Sequence, residues 1–245
     1  MASRRSMQRK AYRRRWKFHL PHPRTHPDTS LQPLNNHTMD FIPYPKTPRL
    51  NRDVMVTEKI DGTCSCIAIE ALEGYPAEGA VWQQGGLAIY AGSRNRWITP
   101  AADNFGFARW VVEHAEELMQ LGPGRYFGEW WGSGIQRTYG LKEKRLSLFN
   151  PAAFCLHGET PKNISKDPKT PKYQKVLPAC VGIVPVLYRG PFTTEAVSTA
   201  IERLKTLGSV AAPGFMDPEG LIVFHEAGGH TYKVTVKDDD KRKSE

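Results

Sequence analysis

The sequence predicts a mixed fold of the α+β class, and three observations point to it. Short segments of period-two alternation recur, as in Thr63-Cys64-Ser65-Cys66-Ile67-Ala68, where alternate side chains face opposite sides of a sheet. Two longer stretches carry an apolar stripe of helical spacing between recognisable start and stop residues. The strand-like segments are separated by insertions of very unequal length, which argues against a regular parallel βαβ repeat.

In chain order, Phe41 to Leu50 carries Pro43, Pro45 and Pro48 and reads as an extended, proline-stiffened approach to the first strand. Strands are expected at Val54 to Glu58 and Thr63 to Glu70, on either side of a tight turn. Thr99-Pro100 opens the first helix, because proline suits the first helical position. Gly122 closes it, after Trp110, Val111, Ala115, Leu118 and Met119 have made one apolar face. Strands follow at Tyr126 to Trp131 and Leu146 to Leu156. His157 to Lys175 contains Pro161, Pro168, Pro171 and lysines at 162, 166, 169, 172 and 175; with almost no apolar content, it must run over the surface. The second helix begins at Thr193 or Thr194 and ends at Gly208, with Val197, Ala200, Ile201 and Leu204 on one face. Strands at Gly220 to His225 and Thr231 to Lys237 complete the series.

A chain of 245 residues, 40% hydrophobic, can bury a substantial core. Its net charge of +9 is unevenly placed: residues 1–52 hold twelve basic residues against Asp28 and Asp40, leaving 22 basic against 23 acidic in the remainder. Residues 1–38 therefore read as a basic tail that cannot build a core, and 39–245 as the folded domain. Arginines interleaved with Tyr12, Trp16 and Phe18 suit a polyanion that offers phosphates and bases. An organelle transit segment, a nuclear localisation patch and an inert extension are the competing readings of the same tail. Cys64, Cys66, Cys155 and Cys180 form no Cys-x-x-Cys pair, so a reducing, cytoplasmic setting is expected and structural zinc is not. No apolar run approaches the roughly 20 residues that cross a bilayer, so no membrane partner is expected.

The turn between the first two strands is Lys59-Ile60-Asp61-Gly62, a Lys-x-Asp-Gly run. Downstream, in order, come Ala91-Gly92-Ser93-Arg94, Tyr126-Phe127-Gly128-Glu129-Trp130, Leu146-Ser147-Leu148-Phe149, Glu219-Gly220-Leu221-Ile222-Val223 and Tyr232-Lys233-Val234. That succession resembles motifs I, Ia, III, IIIa, IV and V of the covalent nucleotidyltransferases, which comprise RNA ligases, DNA ligases and mRNA capping enzymes. Such enzymes place the nucleotide between two antiparallel β-sheets with flanking helices, and the resemblance implies that arrangement here.

Attack on a nucleotide α-phosphate requires a neutral amine, whereas an unperturbed lysine, with a pKa of about 10.4, is charged near neutrality. Desolvation and a neighbouring cation are what free an amine for such chemistry. By resemblance Lys59 is the nucleophile and Lys233 the cation that neutralises the α-phosphate. Glu219 is the metal-site carboxylate, since a carboxylate beside a triphosphate needs a divalent cation between them, and magnesium is the expected ion. Glu58 and Asp61 flank the nucleophile at the nucleotide, and Gly62 lets the backbone approach it. Ser93 and Arg94 would contact phosphate or ribose oxygens, Glu129 the ribose hydroxyls, and Phe149 the base. Motif V departs from the usual alternating pair of lysines, because Thr235 stands at the second position. Lys237 either reaches the phosphates from one step further or is a solvated strand end.

DNA ligases and capping enzymes carry an oligonucleotide-binding barrel after motif V. Eight residues follow Lys237 here, too few for that barrel. The chain therefore looks most like a compact ATP-dependent RNA ligase of the T4 phage kind, a monomer that joins 5′-phosphate and 3′-hydroxyl RNA ends through a lysyl-AMP. A capping-type guanylyltransferase charged with GTP, a DNA ligase, and a non-catalytic RNA-binding module with the same fold are the alternatives. The lysine-rich loop would guide RNA or simply be solvated.

Overall fold

The structure, a computed structural model, describes residues 41–72 and 77–237. The expected basic tail lies outside these residues. The chain divides at Pro45 into two units, and the second, from Lys46 onward, carries all the regular elements described.

In chain order these are β1 (Asp53–Lys59), β2 (Thr63–Ala71), β3 (Trp82–Gln84), β4 (Leu87–Ser93), β5 (Trp97–Ile98), α1 (Phe107–Glu113), α2 (Ala115–Leu118), β6 (Gly124–Gly132) and β7 (Lys144–Leu148). Then come β8 (Phe154–Cys155), β9 (Lys175–Val176), β10 (Val181–Ile183), β11 (Val186–Pro191), α3 (Thr194–Leu207), β12 (Gly220–His225) and β13 (His230–Thr235). A small sheet has the order β11-β1-β12-β13, antiparallel throughout. A large sheet has the order β10-β7-β6-β2-β4-β3, with β5 paired to β4, and is antiparallel except for the β10–β7 pair.

Each sheet has one face packed on its own core, and strand alternation decides which residues go there. Val54 and Val56 of β1 and Leu221 and Val223 of β12 pack against Ala200, Ile201 and Leu204 of α3. Ile67, Ile69, Ile89, Tyr126, Trp130 and Leu146 of the large sheet pack against Phe107, Val111, Ala115 and Leu118 of α1 and α2. The opposite faces are left to line a cleft. A third cluster, Ile60, Trp131, Tyr139, Val184 and Ala212, fills the place where the chain passes from one sheet to the other.

Helix α3 follows its expected bounds because both caps are present. Thr193 Oγ1 accepts from the Ala196 N–H at 3.0 Å, and Gly208, at φ 78°, turns the chain away. The first helix departs from expectation: Pro100 sits in a turn and helix begins only at Phe107. Asp103 supplies the reason, since its carboxylate accepts from the N–H groups of Ala108 (2.8 Å) and Arg109 (3.1 Å), which orphans at a helix start require. The strand expected to run to Leu156 stops at Leu148. Pro151 has no N–H to give a ladder and opens a 3₁₀ turn, after which Phe154–Cys155 pairs with β9 instead. The lysine-rich segment is a surface excursion as expected, entering a strand only at Lys175.

Candidate active site

Strand β1 belongs to the small sheet and β2 to the large one, so Lys59-Ile60-Asp61-Gly62 is the crossing between them. Alternation along β1 places Met55, Thr57 and Lys59 on the cleft face. Glu58 points the other way and is 1% exposed. Its carboxylate is fully used: Oε1 accepts from Ser209 Oγ at 2.5 Å, and Oε2 from the N–H groups of Val210 (2.8 Å) and Ala211 (2.9 Å). A buried carboxylate needs such donors. Glu58 thus ties the segment after α3 beneath the turn, and it also borders the cavity beside Lys59.

The turn is held from a distance. The Asp61 N–H donates to Tyr139 Oη at 2.7 Å, the Gly62 N–H to Glu129 Oε1 at 3.0 Å, and Arg137 Nε to Asp61 Oδ2 at 2.9 Å. A Cβ on Gly62 would lie 2.7 Å from Trp131 Cβ and collide with the Trp130 carbonyl. The close approach of β6 therefore requires glycine at position 62. Asp61 likewise spends its carboxylate on Arg137.

A cavity of about 520 Å³ opens beside Lys59. From the small sheet it is lined by Met55, Thr57, Ile222, Phe224 and Thr231; from the other side by Cys64, Arg94, Glu129, Phe149 and Val184. That volume lies within the usual range for small-ligand sites. Lys59 Nζ stands 2.5 Å from Glu219 Oε2, which is buried and meets no hydrogen-bond donor of good geometry besides that ammonium. Burial pushes the Glu129 carboxyl up to about 7; Glu219 adds to the rise, while the Gly62 N–H, Lys59 and Arg94 oppose it. Burial also raises the Cys64 thiol, so it stays neutral.

Other expected residues fall at graded distances from this centre. Ser93 closes the turn after β4 by donating to the Arg96 carbonyl at 3.2 Å, and Arg94 projects into the cavity wall. Phe149 follows β7 and is 40% exposed on that wall, as a stacking surface must be. Lys233 pairs across the ladder with Ile222, a cavity residue, so it shares the cleft face, though it is exposed on an edge strand outside the immediate lining. Lys237 lies beyond the end of β13, exposed, with Nζ 3.3 Å from Asp217 Oδ1.

The sequence reading missed Arg137, Tyr139 and Asp217. Arg137 bridges Asp61 and Asp217, its Nη1 lying 2.6 Å from Asp217 Oδ2. The loop carrying it has three non-glycine residues at positive φ: Gln136 (43°), Thr138 (57°) and Tyr139 (54°). Such backbone costs energy and persists only where other contacts over-determine it. Tyr139 supplies these, packing edge-on against Trp131 and tilted on Phe215. Gly132, Gly134 and Gly140 around Arg137 were the available signal, but nothing local shows where the guanidinium points.

The cleft between the two sheets thus holds a lysine at its floor, paired with a buried carboxylate and faced by an arginine and an exposed phenylalanine. The family model for RNA ligase matches residues 52–245, and the chain belongs to the RNA ligase family. No match is found among curated proteins. Solved structures of Naegleria gruberi RNA ligase mutants resemble it: one apo at 18% identity and TM-score 0.45, two with ATP and Mn at 16% and 17% identity and TM-score 0.44. Each alignment covers 76% of this chain and 50% of the other, so the chain spans about half the length of the solved structures it matches.

Proposed function

We propose that the protein is an ATP-dependent RNA ligase that works through a lysyl-AMP on Lys59. The observation that carries this reading is the Lys59–Glu219 pair at the meeting of the two sheets, with Lys59 lining a cavity that has Arg94, Glu129 and Phe149 on its walls. Lys59 Nζ attacks the α-phosphorus of ATP, the bond to the bridging oxygen breaks, and pyrophosphate leaves. A 5′-phosphate oxygen of RNA then takes the AMP as the P–N bond breaks. Finally a 3′-hydroxyl attacks that 5′-phosphate, forming the new phosphodiester and expelling AMP.

Positioning and charge do most of this work. The Asp61 and Gly62 N–H bonds fix where the amine can stand, Phe149 covers the base, Glu129 accepts from ribose, and Arg94 and Lys233 offset phosphate charge. A divalent cation fits the donor set: the buried Glu219 Oε2 has no partner except an ammonium, and with water and phosphate oxygens it would hold such an ion. When bound, magnesium supplies positive charge at the triphosphate and competes with Lys59 for Glu219.

The test is to incubate the protein with magnesium and radiolabelled ATP or GTP in separate reactions, looking for an acid-labile, base-stable adduct. ATP labels the parent chain, Lys59→Ala abolishes labelling, and Glu219→Ala and Lys233→Ala each lower it by on the order of a hundredfold. Labelling that persists in Lys59→Ala sinks the reading, and labelling by GTP alone replaces it with a guanylyltransferase.

A further inference from the structure

The cleft face of the large sheet continues past Glu129, away from Lys59, and that extension has no part in the chemistry above. Along β6 the side chains on this face are Glu129, Phe127 and Arg125, while Tyr126, Gly128 and Trp130 point to the core side. Ladder pairing puts Cys64 level with Glu129, Cys66 and Gly92 level with Phe127, and Ala68 and Tyr90 level with Arg125. Trp97 of β5 pairs with Gly92, and its neighbour Ile98 is in the core, so the indole also lies on this face.

The result is a shallow floor of small residues edged by aromatic rings. A Cβ on Gly92 would come 3.2 Å from the Trp97 ring, which shows the indole lying against the bare backbone. Phe127 is 51% exposed and Trp97 47%. The Arg125 guanidinium stands 5.8 Å from the Trp97 ring centre and Tyr90 lies 5.6 Å from the same indole, while Arg96 precedes it in the turn before β5, its Nη1 donating to the Ala102 carbonyl at 3.4 Å. Glu70 closes the far end, paired with Arg125 at 3.8 Å.

We infer that this strip is a track for single-stranded RNA leading into the cleft, with bases stacked on Phe127 and Trp97 and the backbone attended by Arg125 and Arg96. The inference rests on the ligase reading for the identity of the polymer. Successive rows of the sheet are about 6.8 Å apart; Phe127 and Trp97 share the row next to Glu129, on either side of Cys66 and Gly92, and Arg125 stands in the row after it. Exposed rings with arginines among them are what a sequence-tolerant single-strand site needs, because every base offers a π-face while its phosphates need cations. A single strand engages rings and guanidinium groups together.

The experiment uses the full chain and a 5′-phosphorylated oligoribonucleotide. RNA affinity is measured by fluorescence anisotropy, Lys59 labelling by ATP is measured in parallel, and sealing is followed over a range of RNA concentrations. Trp97→Ala and Phe127→Ala are each expected to weaken RNA binding about tenfold, as loss of one stacking surface does, with Trp97→Phe restoring most of it. Adenylylation is expected to be unchanged, and sealing to recover at high RNA concentration, so that KM rises and kcat does not. Parental RNA affinity in the Trp97→Ala/Phe127→Ala double variant overturns the track. Adenylylation that falls along with affinity also overturns it, since the rings would then be supporting the cleft. If the parent chain takes no label from ATP, the ligase reading fails, while the affinity comparison still decides the track.

Discussion

Two turns deliver a cation to the same cleft, and they are held in opposite ways. The turn after β1, which presents Lys59, is fixed by Tyr139, Glu129 and Arg137, partners 67 to 78 residues away. The turn after β4, which presents Arg94, is closed within itself: the Ser93 N–H and Oγ both donate to the Arg96 carbonyl, at 2.8 and 3.2 Å. The difference matches what each cation has to do. A nucleophile must stand at a set distance and angle from one phosphorus atom, and small misplacements cost rate heavily. A guanidinium with several donors tolerates displacement. The long-range turn is the one whose geometry a remote substitution can spoil.

Several substitutions would break or sharpen this contrast. The largest effect is expected from Gly62→Ala, where the new methyl meets Trp130 and Trp131. The turn or β6 must shift, and stability should drop by roughly 1–3 kcal/mol together with most of the adenylylation. Denaturant melts and ATP labelling measure both, and a silent substitution would show that β6 yields easily.

Arg137→Ala comes next. It removes a guanidinium that binds two carboxylates, leaving Asp61 and Asp217 facing each other. Adenylylation should fall at least tenfold with little change in KM for ATP, because a positioning group rather than a nucleotide contact is lost. A rise in KM with kcat intact would place Arg137 on the nucleotide instead.

Glu129 tests the electrostatic side of the same turn. Its carboxyl titrates near 7 in the folded chain against an ordinary 4.5, so the folded state holds this proton more tightly than the unfolded state does. The stability that this group contributes is fully present below about 4.5 and is lost as the pH rises through 7. Glu129→Gln keeps an acceptor for the Gly62 N–H without the titration. The variant should therefore gain on the parent between pH 5 and pH 8, by roughly 5 °C in Tm. Parallel Tm curves would mean the carboxyl ionises without penalty. The smallest effect is expected from Ser93→Ala, where one exposed hydroxyl bond is lost and the backbone bond to Arg96 remains. Tm and labelling should stay within about 0.5 kcal/mol of the parent.

The same local and long-range division governs what could be read from the sequence. Lys59, Arg94, Glu129, Phe149, Glu219 and Lys233 could be singled out because each sits in or beside a short strand-like run, and the structure puts Lys59, Arg94, Glu129 and Phe149 on one cavity with Glu219 paired to Lys59. Helix α3 was legible because Thr193 and Gly208 are local stops. What needed another part of the chain was lost. The partners of the Glu58 carboxylate were hidden because nothing beside it announces Ser209 and the two N–H groups that bind it. The contact of Gly62 with Trp130 and Trp131 was hidden for the same reason. The start of α1 was misplaced because Pro100 imitates a helix opening, whereas the effective cap is Asp103, acting over five and six residues. Strands β3, β4, β5, β9, β10 and β11 went unmarked, five of them six residues or fewer and too short to show a period.

The chain passes between the two sheets at only two places among the described residues, Ile60–Gly62 and Val184–Pro185, and these are neighbours. The Glu58 N–H donates to the Pro185 carbonyl at 2.9 Å, and Ile60 and Val184 share one apolar cluster. Mechanically that makes the cleft a pair of plates joined along one edge, with Lys59 at the joint. Any change in the angle between the plates displaces a point in proportion to its distance from that edge. Phe224 and Thr231 would swing through the widest arc relative to Phe149, whereas the amine would barely shift. Under the proposed function, bases of different size would then be gripped or released at the open end without altering the reach of Lys59.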